Sequence, residues 1–327
     1  MRFVLAFSVA LAVSTLPAAA QTPASFKPDL AADGHPDLQG LWYAASLTGL
    51  QRDKAIHGLV IPADKADETI KTLTRPGPDG VYDPDIDYFS PDQLLSVNGE
   101  LRSSWITEPA DGRMPYTRLA VSALQRIDEL ETYSFDNPEE RAPWERCVSS
   151  LGHPPIMANS YVIPHQIVQT PDAVVIATED TDGARIIHLS GPLPPQVIRS
   201  RGGYSAGHWE RDTLVVETTH IAAPDVTGVV YRGAIPVTEG SRTIERFTLI
   251  APDEILYQFT IEDPALFTAP WRAEYVLKRH PGAYHEYACH EGNYAIVNGL
   301  KAARLGRQST READENKAAE EAKKKPG

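Results

Sequence analysis

The chain has 327 residues, 42 % hydrophobic and 23 % charged, a balance that fits a folded globular protein and excludes a wholly disordered one. Its 44 Asp and Glu against 31 Lys and Arg leave a formal charge of −13, which argues against a nucleic-acid partner, since such binders concentrate Lys and Arg. The 27 prolines are spread along the whole chain and argue against a helical bundle.

Residues 1–20 read as a secretory signal peptide. Arg2 supplies the positive n-region, Phe3 to Leu16 is apolar, and Ala18-Ala19-Ala20 offers a small-residue cleavage site. The run falls short of the ~20 residues that span a bilayer. Cleavage after Ala20 is therefore expected, giving a periplasmic or secreted protein with no membrane insertion. Residues 21–39 read as an extended lead-in, and Gly40-Leu41-Trp42 opens a single β-rich domain expected over 40–307. Within it, 47–150 predicts a loop-and-helix layer, with short helices around Ala63–Thr74, Pro91–Asn98 and Thr117–Thr132.

From Ser160 the pattern becomes short β-rich runs separated by turn residues. Strands are predicted at Tyr161–Gln169, Ala173–Thr178, Arg185–Leu189, Tyr204–Glu210, Thr213–His220, Arg242–Ile250, Ile255–Glu262, Ala273–Arg279 and Tyr284–His290. Arg211-Asp212 is a two-residue hairpin connection. With tight turns and no crossover helices, the 160–291 stretch predicts an antiparallel meander that closes into a calycin-like barrel, with a β-sandwich as the alternative. Residues 308–327 are Glu-, Lys- and Ala-rich and are expected to form a disordered tail. Cys147 and Cys289 are the only cysteines, so one connectivity exists, and an oxidising compartment favours the bridge. That bridge is expected to pin the 47–150 layer to the last strand.

Gly203-Tyr204-Ser205-Ala206-Gly207 matches the G-x-S-x-G nucleophile elbow. That elbow needs a buried parallel strand before the serine and a helix after it, whereas a Pro- and Arg-rich loop and a hairpin strand flank this one. Tyr284–Asn293 is the densest polar cluster, but its histidines lie five apart. A helical zinc pair needs four, and on a strand five puts them on opposite faces. Period-2 spacing leaves Glu286 with His290 on one face and His208 with Glu210 on another, and Glu217 lies across the hairpin from the latter pair. Arg185 lies among apolar residues, and Glu245 opens a strand of large side chains; each needs a partner or solvent, because a lone buried ion costs several kcal/mol. Cross-strand salt bridges on an outer face are the plain account of such charges. A barrel interior holding Arg, Glu, His and Tyr together would instead be a polar cavity.

Three motifs resemble a large family of secreted bacterial proteins of unassigned function. They are Asp33–Trp42 (DGHPDLQGLW), Gly207–Thr218 (GHWERDTLVVET), and Glu262-Asp263-Pro264 with Pro270-Trp271 running on to Glu286–Tyr294 (EYACHEGNY). The resemblance implies kinship and export, and brings no catalytic residues with it. Arg211 stands where that family more often has glycine, which predicts a reshaped hairpin. Gly40-x-Trp42 is also similar to the lipocalin opening.

The leading expectation is an exported enzyme acting on a small cyclic molecule, sugar- or aromatic-derived, by acid–base chemistry of lyase, isomerase or hydrolase type. His208 with Glu210, and Glu286 with His290, are the candidates for proton transfer, and Arg185 for stabilising negative charge. Tyr161, His165, Tyr257, Tyr284 and Glu245 are candidate substrate-binding residues. The alternatives are a non-catalytic periplasmic small-molecule-binding protein and a divalent-metal hydrolase using His165, His208 and His290. No Gly-rich phosphate loop, dinucleotide fingerprint or EF-hand occurs, so no cofactor is expected. The expected partner is a small molecule.

Overall fold

The computed structural model describes residues 26–74, 93–133, 135–148, 153–157, 163–180, 184–223, 229–232 and 235–324. Strand β1 is Gly40–Tyr43, followed by β2 (Val60–Ile61), helix α1 (Ala66–Leu73), β3 (Ser96–Val97), β4 (Glu100–Arg102), β5 (Ile106–Glu108) and helix α2 (Arg118–Tyr133). Then come β6 (His165–Gln169), β7 (Ala173–Thr178), β8 (Ala184–His188), β9 (Tyr204–Glu210) and β10 (Thr213–Thr219). A small hairpin, β11 (Val230–Arg232) with β12 (Ile235–Val237), precedes β13 (Arg242–Ala251), β14 (Glu254–Glu262) and β15 (Trp271–Arg279). Helix α3 spans Tyr294–Lys324. The predicted helix at Pro91–Asn98 does not form within the described residues, where Ser96-Val97 pairs instead with β4.

The strands pair in the order β1-β6-β7-β8-β9-β10-β13-β14-β15, and β1 returns to β15, which closes a nine-stranded barrel. The protein is thus mainly β, with the calycin-like closed barrel that the strand pattern predicts. Strict alternation carries it: β13 and β14 bury every second side chain. Trp42, Phe247, Tyr257, Phe259, Trp271 and Tyr275 are among the largest fully buried side chains. Each removes enough apolar surface to contribute roughly 2–3 kcal/mol. The outer edge of β15 is shared, its C-terminal end pairing with β1 and its N-terminal end with β5.

One feature departs from a simple meander. β8 and β9 run parallel, and they pair at only two positions, Ile187 with Ser205 and His188 with Ala206. A parallel neighbour needs a long return, which the chain from Leu189 to Gly203 supplies without a helix. The barrel wall therefore has a seam beside Ala184–Ile186, where β8 has lost contact with β9.

The glycines of the G-x-S-x-G stretch serve this seam. Gly203 adopts φ +71°, and a Cβ there would lie 2.5 Å from the Thr219 carbonyl oxygen. A Cβ on Gly207 would lie 2.6 Å from Cγ2 of Ile187, so only glycine lets β8 and β9 pack this closely.

The Arg211-Asp212 connection forms as predicted, joining Glu210 to Thr213. Arg211 sits at φ +56°, a left-handed conformation that suits glycine at the first loop position. Arg211→Gly is expected to raise stability by about 0.5–1 kcal/mol, the relief of backbone strain exceeding the extra freedom of the unfolded chain. Denaturant unfolding at neutral pH measures this.

At the periphery the lead-in gains contacts and two expectations change. The lead-in is docked, since Asp33 accepts from the Gln169 amide, Leu38 is fully buried and His35 stacks on Trp209 at 4.7 Å. Tyr284–His290 is irregular and not a strand, so the Cys147–Cys289 disulfide, with Cα atoms 5.8 Å apart, ties residue 147 to the loop before α3 and not to the last strand. The expected tail is helical through Lys324. Its Ala, Glu, Lys and Arg favour helix, and it is seated by buried Leu300, by Gly299 against the Phe135 ring and by an Arg307–Asp136 ion pair. No helix of the described residues is long and apolar enough to cross a membrane.

Candidate functional site

Inward-pointing positions on successive strands carry a continuous polar group. Arg185 on β8 forms a two-armed ion pair with Glu245 on β13, Nη1 donating to Oε1 at 2.9 Å and Nη2 to Oε2. Its Nε donates to Ser205 Oγ at 2.9 Å and Nη2 also to Thr218 Oγ1 at 3.0 Å, and those hydroxyls bond each other at 2.8 Å. Tyr257 donates its hydroxyl proton to Glu245 Oε1 at 2.7 Å. Alternation places these residues together: Ser205, Thr218 and Glu245 are inward positions of three adjacent strands, paired or diagonal across the ladder. The pair is buried, with Glu245 at 0 % exposure and Arg185 at 8 %, and such burial is tolerable only because each charge is met by several hydrogen bonds.

This network faces a plug. Residues 153–157 turn into the barrel, with Ile156 completely buried. The Ile156 N–H donates to the Tyr257 hydroxyl at 2.8 Å, and the Tyr275 hydroxyl donates to the Ile156 carbonyl at 2.7 Å. Two tyrosines thus satisfy both backbone polar groups of a residue that no strand reaches. Burial pushes both phenols well above their ordinary range, with the Glu245 charge adding to it, so they stay protonated donors. His165 also points inward, with Nδ1 2.9 Å from Thr178 Oγ1. Burial holds its pKa down to about 4, so the ring is neutral at ordinary pH.

Among the described residues, the seam offers a cavity beside this polar network. A cavity of about 300 Å³ opens beside Ala184–Ile186, against Gly202–Ser205, with His153 and His188 on its walls and the Arg185 side chain at its floor. His188 and Tyr204 stack with ring centroids 4.7 Å apart and planes 7° from parallel. Behind them, Tyr204 meets the buried His220 edge-on at 6.2 Å. In the neutral His220 ring Nε2 carries the proton, because its partner, the Pro194 carbonyl, only accepts; Nδ1 then accepts from Thr219.

The sequence-predicted residues divide between these regions. Arg185, Glu245, Tyr257 and His165 all lie inside the barrel; Arg185 and Glu245 neutralise each other, and Tyr257 holds the plug. His208 and Glu210 do share a face, but it is the outer one: they are exposed, 3.3 Å apart, and Glu210 also pairs with Arg246 at 2.9 Å. The Arg246 and His208 contacts lower the Glu210 pKa. Glu217 pairs with Arg242, not with that pair. Glu286 and His290 are exposed on the loop before α3, where strand alternation does not apply. Tyr284 is on the same loop, and its hydroxyl donates to the Thr178 carbonyl at 3.2 Å. Tyr161 lies outside the described residues. The two proton-transfer pairs therefore do not converge with Arg185. His165, His208 and His290 are likewise dispersed, and no group of three or more His, Cys, Asp or Glu suited to a metal ion occurs among the described residues.

Sequence reasoning named Tyr204 among the aromatics able to line a cavity but missed His153 and His188 as pocket residues. His188 was legible as the outward partner of Ala184 and Ile186 on β8, but only the short parallel contact of β8 with β9 turns that position into a wall. Compared with known proteins, the chain matches no family model, no curated protein and no solved structure.

Proposed function

We propose that the protein is an exported small-molecule-binding protein whose ligand, a compact ring-bearing compound, occupies the seam cavity between β8 and β9. The observation that carries this reading is the convergence of Arg185, Ser205, His153, His188 and Tyr204 on one opening of about 300 Å³. That volume is at the small end of ligand pockets, and few positioned polar groups among aromatic and aliphatic walls are what such pockets use. Binding is favoured over the acid–base enzyme because His208, Glu210, Glu286 and His290 lie away from the cavity. Catalysis on the same ligand is the second reading, favoured by the two imidazoles of His153 and His188 on one pocket.

The leader-like start and the resemblance to secreted proteins support export. The Cys147–Cys289 bridge is compatible with an oxidising compartment.

A panel of neutral and charged ring compounds, screened by saturation-transfer NMR, tests the site. Ala184→Phe places a ring in the cavity from an exposed position and leaves the buried network untouched. Compounds that bind the wild-type chain are expected to lose their signal with this variant. Undiminished signals from every hit would overturn the assignment of the site.

A further inference from the structure

The seam cavity is one-sided in its charged groups. Its polar side chains are Arg185, His153, His188, Ser200, Tyr204 and Ser205, and no Asp or Glu lines it among the described residues. The carboxylate that balances Arg185 belongs to Glu245, which is fully buried behind the guanidinium and absent from the cavity wall.

Several of these groups are already committed. Ser200 donates to the Gly203 carbonyl at 2.9 Å, and Ser205 is held by Arg185 and Thr218. Others are not. The His188 ring stacks on Tyr204 and makes no side-chain hydrogen bond within the described residues. Four of the five N–H groups of Arg185 are taken by Ser205, Thr218 and Glu245; the fifth, on Nη1, has no partner among the described residues. A cation placed here would meet a guanidinium, with no acid on the described cavity wall to pair with. An acceptor-only group would meet donors, one of them a guanidinium fixed in place by four hydrogen bonds and so needing no ordering on binding.

The apolar walls constrain the rest of the ligand. Ile176, Ala184 and Ile186 supply its aliphatic lining and the His188–Tyr204 stack its aromatic one, which suits a flat or compact ring. We infer that the cavity takes a ring-bearing carboxylate, with the ring against Ile186 and the His188–Tyr204 stack and the carboxylate toward the Arg185 end. This rests on the small-molecule-binding reading above and adds the sign and class of the ligand.

Matched probes separate the two claims. Benzoate and cyclohexanecarboxylate, with benzamide and cyclohexanecarboxamide as their uncharged counterparts, are titrated into the full chain and followed by amide shift perturbation. The carboxylates are expected to bind at least about tenfold more tightly than the amides, the effect of one charge-assisted hydrogen bond. Ala184→Phe is expected to abolish binding of all four. Equal affinity for acid and amide, both lost in Ala184→Phe, would overturn the carboxylate inference and leave the seam site standing. Binding of all four probes unchanged in Ala184→Phe, or no binding of any probe to the wild-type chain, would overturn both.

Discussion

Glu245→Gln is expected to cost about 3–5 kcal/mol of folding stability, because it leaves the Arg185 guanidinium charged, buried and without a counter-ion. The amide oxygen still accepts from Tyr257, so the plug contact survives, and the loss reports the missing charge together with the acceptor that Arg185 Nη2 loses. The double variant Arg185→Met with Glu245→Gln is expected to recover at least about 1 kcal/mol of that loss, since it removes the stranded charge, and Ser205 and Thr218 remain bonded to each other. Urea unfolding of the wild type, both single variants and the double variant measures the coupling. A Glu245→Gln chain within about 1 kcal/mol of wild type, or a double variant no better than the single, would show that this pair is solvated in solution.

Acidification is expected to remove about 3 kcal/mol through His165 alone between pH 6.5 and pH 4. Its folded pKa is pushed down to about 4 from the ordinary 6.5 because the ring is buried, on a strand position paired across the ladder with Trp42. Lowered folded pKa means that the unfolded chain binds the proton more readily. The stabilising contribution is then complete above pH 6.5 and declines as the pH falls, reaching its full loss below pH 4. His165→Gln keeps a hydrogen-bonding group for Thr178 and removes the titration. Its stability is expected to fall less than that of wild type between pH 7 and pH 4.5. Carboxylates such as Glu217, whose pKa the Arg242 contact lowers, contribute equally to both chains and cancel in the difference. Identical pH dependence in the two chains would mean that His165 is open to water.

Strand periodicity made the barrel readable. Alternation at Arg242–Ala251 and Glu254–Glu262, and turn residues such as Arg211-Asp212, place side chains on faces from local information alone. It failed at Tyr284–His290, where polar and aromatic residues alternate by composition but no neighbouring strand remains: β1 and β5 already occupy the edge of β15. It failed at the tail because the anchors Gly299 and Leu300 lie upstream of the polar run, and their contact with the rest of the protein is long-range.

The site shows the same division. The need of Arg185 and Glu245 for partners followed from residue type, since neither can be buried alone. That each is the other's partner did not, because it depends on the order of strands between β8 and β13. Period-2 spacing correctly put His208 with Glu210, yet one strand has two faces, and only the closed barrel says which is outside. Short-range chemistry in the sequence determined the strands, the hairpin and the bridge available to two cysteines. The tertiary structure decided what fills the lumen, that residues 153–157 do so, and that a two-position parallel contact leaves the opening beside Ala184–Ile186. Those outcomes hinge on contacts between segments far apart in the chain, which local patterns do not encode.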